Sequence, residues 1–128
     1  MRVTINSIKI RTVRSEKDDC AVFAIMSAAG ITYREAWVAL KNAGREKGKP
    51  TPISSIIGAL RGLGLSPMLY MLAGKATVAW AVKMHHKGRF IVFTNDHAMG
   101  LRDGMLFNPA ATHGKKHIEG IIALDGGL

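Results

Sequence analysis

One segment constrains the fold of this chain more than any other. Residues 20–29, with the sequence CAVFAIMSAA, are apolar on nearly every side. A helix of this kind has no face to turn toward water, so we expect the rest of a domain to surround it. Asp18 or Asp19 is the predicted N-cap and Gly30 the predicted stop. No apolar stretch approaches the roughly 20 residues that cross a bilayer, so no membrane partner is expected.

Cap and stop residues predict three further helices. Thr32 and Glu35 match a capping box, in which the Thr hydroxyl accepts from a free backbone N–H and the Glu side chain reaches back to the cap. Pro52 is predicted at the first helical position, where its missing N–H costs nothing, and Thr77 is predicted to cap the last helix. These helices are expected over residues 33–43, 52–61 and 78–86.

Much of the remaining sequence has the period of two that is typical of strands. Asp103-Gly104 is a strong signal for a two-residue hairpin turn, because both central positions of that turn need positive φ. One or two short strands are expected in residues 2–13, and others over 67–72, 89–94, 97–102, 105–107 and 118–124. Helices come first and an antiparallel sheet later, so the predicted class is α+β. The 128 residues show no repeat or linker and are expected to form one domain, 1–128.

Basic residues outnumber acidic residues by 18 to 9, which leaves a net charge of +9. A phosphate-binding surface and a solvated exterior would both produce such an excess. The aromatic content of only 6% and the lack of a nucleic-acid-binding motif favour the solvated exterior. Nucleic acid is therefore a less favoured partner. The charges cluster at Lys41, Arg45, Lys47 and Lys49, at Lys83, Lys87 and Arg89, and at Lys115 and Lys116.

The chain contains a single cysteine, Cys20, so it has no internal disulfide. This usage, together with a start that lacks the apolar block of a signal peptide, predicts the reducing cytoplasm. Cys20 also stands where an acidic loop becomes the buried helix. The first N–H groups of a helix carry partial positive charge, which stabilises a thiolate. Cys20 is therefore a candidate nucleophile.

A cysteine nucleophile needs a base, normally histidine, and a third group that orients the base. A two-residue turn at Asp103-Gly104 places Met99 opposite Asn108. Alternation puts the side chains of His97 and Met99 on one face, so His97 and Asn108 are expected to be diagonal neighbours, roughly 7–8 Å apart between backbones. The hairpin thus supplies a candidate base, His97, and a candidate orienting residue, Asn108.

Other histidines are weaker candidates. His113 and His117 are four residues apart, which would suit zinc on a helix face. The intervening Gly-Lys-Lys disfavours a helix and repels a cation, so we expect no metal site and no cofactor. His85 is interpreted as part of a helix end, where a cationic side chain meets the negative pole of the helix.

The order of these elements resembles the papain-like cysteine peptidase superfamily, with Cys at the head of a central helix and then His and Asn on successive antiparallel strands. The details are most similar to compact proteins of bacteriophages and other mobile elements that resemble bacteriocin-processing peptidases. Four segments carry the resemblance: DDCAV at 18–22, TP at 51–52, GRFIV at 88–92, and HAM at 97–99 continuing to DGMLFNP at 103–109.

The resemblance implies a papain-like domain in which the Cys-bearing helix packs on the C-terminal sheet. It makes Cys20 the nucleophile, His97 the general base and acid, and Asn108 the orienting residue. The implied reaction is attack on a carbonyl, formation of an acyl-enzyme, and then hydrolysis or transfer. The implied substrate is a peptide or protein, such as a host protein in the bacterial cytoplasm.

The sequence departs from the family pattern at the oxyanion site. These enzymes usually place a Gln six residues before the nucleophile, and here that position is Arg14. Arg14 or the neighbouring Ser15 is then the candidate side-chain donor beside the Cys20 backbone N–H. Loss of one such donor costs about 10²–10³ in rate. The alternative prediction is therefore a weak or inactive relative that binds a host protein or nucleic acid through its basic surface.

Overall fold

The computed structural model describes the backbone of residues 2–4 and residues 19–46, 51–72, 76–85, 87–94, 97–107 and 117–126. These residues form four helices and six strands. The helices are α1 (Cys20–Ala29), α2 (Tyr33–Asn42), α3 (Ile53–Gly62) and α4 (Val78–Met84). The strands are β1 (Arg2–Thr4), β2 (Met68–Met71), β3 (Arg89–Phe93), β4 (Ala98–Arg102), β5 (Met105–Phe107) and β6 (Gly120–Ala123). The predicted α+β class is confirmed.

The strands form one sheet in the order β1-β5-β4-β3-β6-β2. Five of them pair antiparallel, whereas β1 pairs parallel with β5 at one edge. The β4–β5 hairpin has the predicted register, with Gly100 opposite Phe107 and Arg102 opposite Met105. Asp103 and Gly104 have φ of 50° and 79°, as the predicted two-residue turn requires.

Helices cover both faces of the sheet, and two apolar clusters fill the space between. The first cluster joins α1, α2 and α3 to one set of alternating strand residues, including Ile91, Phe93, Ala98 and Ile122. The second joins α4 to the other set, including Phe90, Val92, Met99, Leu101 and Ile121. Adjacent residues of β3 and β6 thus enter opposite clusters, which is the alternation expected of a strand buried on both faces.

The buried central helix is confirmed. Residues 21–28 of α1 are all buried, and Ser27, the only polar one, donates its hydroxyl to the Phe23 carbonyl at 2.7 Å. Gly30 ends the helix in the left-handed conformation, with φ of 72°. Since the helix is enclosed on every side, its apolar composition is explained by packing alone.

Several predicted ends differ from the structure. Pro52 is the N-cap of α3 and not its first helical residue, because its ψ of 152° is extended while its carbonyl already accepts from the N–H groups of Ser55 and Ile56. The last helix ends at Met84, two residues earlier than predicted. The N-terminal strand is described over Arg2–Thr4, and residues 5–13 of that prediction lie outside the described residues.

The capping box is confirmed. The Glu35 N–H donates to Thr32 Oγ1 at 3.1 Å, and the Thr32 N–H donates to Glu35 Oε1 at 3.0 Å. Across the described part of the chain, no helix combines the length and the apolar character needed to span a membrane.

Candidate active site

Cys20 is the first residue of α1 and is partly buried against the first apolar cluster. Asp19, the N-cap, accepts the N–H groups of Val22 and Phe23 on its carbonyl at 3.0 and 3.2 Å. Helical geometry leaves the N–H of a first helical residue without an acceptor inside the helix. The thiol therefore lies at the positive pole of a helix, as the sequence predicts.

A close approach between α1 and β4 determines what the thiol faces. A Cβ on Gly100 would collide with Ser27 Oγ and would lie only 2.9 Å from the Ala28 nitrogen and 3.0 Å from the Ala24 carbonyl oxygen. Glycine at this position thus lets the helix backbone rest directly on the strand.

The helix and the strand run in the same direction, so their starts meet. At the far end, Arg102 Nη1 lies beside Gly30, where it would be 2.5 Å from an added Cβ. From Gly30 back to Cys20 the helix rises about 15 Å, and from Arg102 back to His97 the strand spans about 16 Å. These nearly equal lengths bring Cys20 and His97 to the same place.

The side chain of His97 forms a hydrogen bond with the Cys20 sulfur, and the Ala98 backbone N–H donates a second one. Burial raises the pKa of the Cys20 thiol, but both hydrogen bonds and the charge of His97 lower it. The charge of Asp19 raises it slightly. The hydrogen bonds and the His97 charge together outweigh burial, so the pKa of Cys20 lies below its ordinary value. The site therefore stabilises the thiolate form of Cys20 relative to an ordinary thiol.

The backbone of His97 is held by Thr94, three residues earlier in the chain. The Thr94 N–H donates to the His97 carbonyl at 2.8 Å, and the Thr94 hydroxyl approaches the same oxygen at 3.4 Å. Thr94 is itself buried, with 6% of its surface exposed. These contacts fix the start of β4 at the point where the imidazole meets the sulfur.

The prediction that the side chains of His97 and Met99 lie on one face of the sheet is wrong. Strict alternation groups His97 with Met99, yet Met99 belongs to the cluster on the face away from α1, whereas the imidazole reaches the sulfur at the start of α1. His97 precedes β4, so the pleat of the strand does not dictate the direction of its side chain.

Three predicted site residues, Asn108, Arg14 and Ser15, lie outside the described residues. The ladder is described as far as the pair of Gly100 and Phe107, immediately before Asn108. Because His97 does not share the face of Met99, the hairpin argument for Asn108 fails, and its orienting role is only what the resemblance implies. That role and the oxyanion roles of Arg14 and Ser15 stay predictions.

A buried polar pair beside the thiol escaped the sequence analysis. Asp19 is fully buried, and the Tyr33 hydroxyl donates to its Oδ2 at 3.1 Å. The Tyr33 ring also packs against Phe23, with centroids 5.2 Å apart. The Asp19 carboxylate forms no cap hydrogen bond with α1. The signal available in the sequence was an acidic residue directly joined to an apolar run, where a buried carboxylate requires a donor from elsewhere.

Basic residues of the predicted clusters are in part engaged within the protein. Arg45 is buried at 6% exposure, Lys41 lies 5.3 Å from the centroid of the Trp37 ring, and Arg89 Nε donates to Asp125 at 2.9 Å. These contacts reduce the basic surface that a phosphate backbone would meet.

The prediction that His85 lies at a helix end is confirmed, but its surroundings disfavour the predicted cationic ring. His85 is the C-cap of α4, and its ring packs near Trp80 and Phe90, with centroids 5.7 and 5.0 Å away. Burial lowers the pKa of His85, and its Nε2 has no hydrogen-bond partner among the described residues. The apolar surroundings thus favour the neutral ring.

Two other features lie apart from the thiol. A groove of about 510 Å³ runs between α2 and α3, and neither Cys20 nor His97 lines it. Within the described ranges, no group of three or more His, Cys, Asp or Glu side chains is placed to hold a metal ion.

No protein-family model, curated protein or solved structure matches this chain. The functional argument therefore rests on the geometry of Cys20 and His97.

Proposed function

We propose that the chain is a papain-like cysteine hydrolase that cleaves amide or isopeptide bonds in peptides or proteins. One observation carries the proposal: the His97 imidazole is hydrogen-bonded to a sulfur of lowered pKa at the start of a buried helix. An activated nucleophile and an adjacent base are the two groups that acyl transfer requires. The resemblance to compact phage-encoded relatives of bacteriocin-processing peptidases makes a protein of the bacterial cytoplasm the proposed substrate.

In the proposed reaction, the Cys20 thiolate attacks the carbonyl carbon of the amide and forms a C–S bond. The carbonyl electron pair moves onto oxygen, which the Cys20 backbone N–H and a donor from Arg14 or Ser15 stabilise. Collapse of this intermediate breaks the C–N bond, while the His97 imidazolium gives its proton to the leaving nitrogen. Neutral His97 then takes a proton from water, whose oxygen displaces the sulfur and releases a carboxylic acid.

The roles of the remaining groups follow from this scheme. Asn108 is proposed to orient the His97 ring through its side-chain carbonyl, without taking a proton from it. The buried pair of Asp19 and Tyr33 holds the chain that enters α1, and so positions Cys20. The reaction needs no cofactor, because the thiolate and the imidazole supply both the nucleophile and the proton transfers.

The first test is the pH dependence of alkylation by iodoacetamide, which reports on one site because Cys20 is the single cysteine. The pH at which the rate is half of its maximum should be lower for the folded protein than for the urea-unfolded chain. In His97→Ala the midpoint should move up toward the unfolded value, since both the hydrogen bond and the charge of His97 are lost. At pH 6 the native thiol should react several-fold faster than the variant, a difference of roughly three- to tenfold. Equal profiles for the native protein and His97→Ala would refute the proposed pair.

The second test asks whether the pair cleaves amides. The protein is incubated with a bacterial lysate, and new N-termini are identified by mass spectrometry, with Cys20→Ala as the matched control. The proposal expects a set of cleavages that appears with the native protein and is missing from Cys20→Ala. A reactive thiol without such cleavages would support the alternative of a binding protein that retains only the fold.

A further inference from the structure

The sheet ends in an exposed edge strand, β2. It pairs with β6 on one side, and no strand in the described part of the chain pairs with its other side. Proteins usually protect such edges with charged residues, proline or bulges. The strand Met68-Leu69-Tyr70-Met71 contains neither a charge nor a proline, and Met68, Leu69 and Met71 are 48%, 37% and 64% exposed. The edge thus offers both backbone groups and apolar side chains.

The direction of the backbone groups follows from one hydrogen bond. The Leu72 N–H donates to the Glu119 carbonyl at 2.8 Å, so the backbone groups of Leu72 point toward the β6 side. Backbone groups alternate along a strand, as they do in any antiparallel ladder. The N–H and C=O of Leu69 and Met71 therefore point outward, toward the open edge.

The side chains of the same two residues lie together on one face. Tyr70 packs against the second cluster, on the α4 face of the sheet. Leu69 and Met71 therefore project from the opposite face, where both are exposed. The open edge thus presents two outward-pointing backbone pairs with two apolar side chains beside them.

We propose that two copies of this chain associate by antiparallel pairing of β2 with β2, with the two-fold axis passing beside Tyr70. A two-fold axis normal to the sheet requires that facing residues share a face, so the axis passes beside a residue and not between two residues. Centring on Tyr70 sets Leu69 opposite Met71 of the second copy. The outward N–H and C=O groups of both residues then all form hydrogen bonds between the two strands. Centring on Leu69 sets Met71 opposite Pro67, which lies outside the strand and has no N–H.

The second copy fits this edge better than an unrelated strand because the edge is self-complementary. In the proposed register, each exposed Leu69 packs beside an exposed Met71, and the two sheets join into one of twelve strands, twice the six of one chain. A contact this small gives a weak dimer. The two copies each carry +9, so added salt should strengthen the association by screening their repulsion.

Cross-linking tests the register. Leu69→Cys and Met71→Cys are made separately in a Cys20→Ala background, oxidised alone or as a mixture, and examined by intact mass. In the proposed register, Leu69 and Met71 of the second copy form a hydrogen-bonded pair, whose Cα atoms are about 5.5 Å apart and within disulfide range. The two copies of Leu69 are diagonal neighbours, as are the two copies of Met71, and each such pair is about 7–8 Å apart. The disulfide should therefore form mainly between the two variants in the mixture. Preferential linking of Leu69→Cys to itself, or yields equal to those of a Met84→Cys control, would overturn the proposal.

Sedimentation of the unmodified chain tests the association itself, from about 1 μM to about 1 mM. The proposal expects a dimer whose fraction rises with concentration and with salt, and a Met71→Lys variant that dimerises at least about tenfold more weakly. Val38→Lys is the matched control, because Val38 is 39% exposed on α2 and lies outside the edge; it should dimerise like the native chain. A monomer at the highest concentration, or equal effects of the two lysines, would show that this edge does not bind a second copy.

Discussion

Gly100 is the residue on which the approach of α1 to the sheet depends. An added Cβ would meet the Ser27 hydroxyl and would come within 3.0 Å of the helix backbone at Ala24 and Ala28. The hydroxyl can rotate away, but the backbone atoms cannot move without shifting the whole helix. We expect Gly100→Ala to lower the free energy of unfolding by about 1–3 kcal/mol, measured by urea denaturation.

The matched control for this prediction is Gly62→Ala. A Cβ on Gly62 would meet nothing within 4 Å, and alanine restricts the unfolded chain more than glycine does. This variant should gain about 0.4–1 kcal/mol. Equal effects of the two substitutions would show that the Gly100 contact is not what separates them.

Cys20 and His97 show at the same scale what could be predicted for the site. Both residue types could be selected from their places at the starts of a helix and a strand, and the structure brings them together. The prediction of the face on which the His97 side chain lies failed, because it applied the alternation of β4 to a residue that precedes the strand. Asp19 and Tyr33, 14 positions apart, were missed because no local pattern links them.

At the scale of single elements, α2 depends on its capping box. Replacing Thr32 with Ala removes the acceptor for the Glu35 N–H and leaves an unsatisfied donor in the first turn. We expect Thr32→Ala to cost about 1 kcal/mol of unfolding free energy, and Thr32→Ser to restore most of it. A Thr32→Ala protein as stable as the native chain would show that water replaces the cap without cost.

The other half of the box gives a pH dependence. The Thr32 backbone N–H, and then its side chain, hold the pKa of Glu35 below its ordinary value. A carboxyl whose folded pKa is depressed adds stability above its unfolded pKa, and this contribution disappears as the pH falls through the folded pKa. The stability difference between the native protein and Glu35→Gln, followed by thermal melting, should therefore shrink on acidification below the ordinary pKa of Glu. A difference that is constant or grows would contradict this assignment.

For the whole molecule, the sequence predicts a single domain, and the two tryptophans allow a test from both faces of the sheet. Trp37 packs against the first cluster, whereas Trp80 lies on α4, whose Val78 and Ala81 belong to the second. Fluorescence of Trp37→Phe and Trp80→Phe, each with one tryptophan left, reports the two faces separately. If β3, β4 and β6 join both clusters into one cooperative unit, each transition should coincide with the far-UV circular dichroism transition of the same variant. Transitions that separate would indicate two independently unfolding parts.

The sequence by itself determined the central helix and the local signals that begin a helix or form a hairpin turn. The all-round apolar α1, the Thr32 cap and the Asp103-Gly104 turn are local patterns, because helix enclosure, capping and positive φ depend on residues a few positions apart. The tertiary structure alone decided that β1 lies parallel beside β5, that β6 lies between β3 and β2, and that Asp19 is buried beneath Tyr33. These arrangements join residues that are distant along the chain, and their free energy comes from packing that exists only when the whole domain has formed.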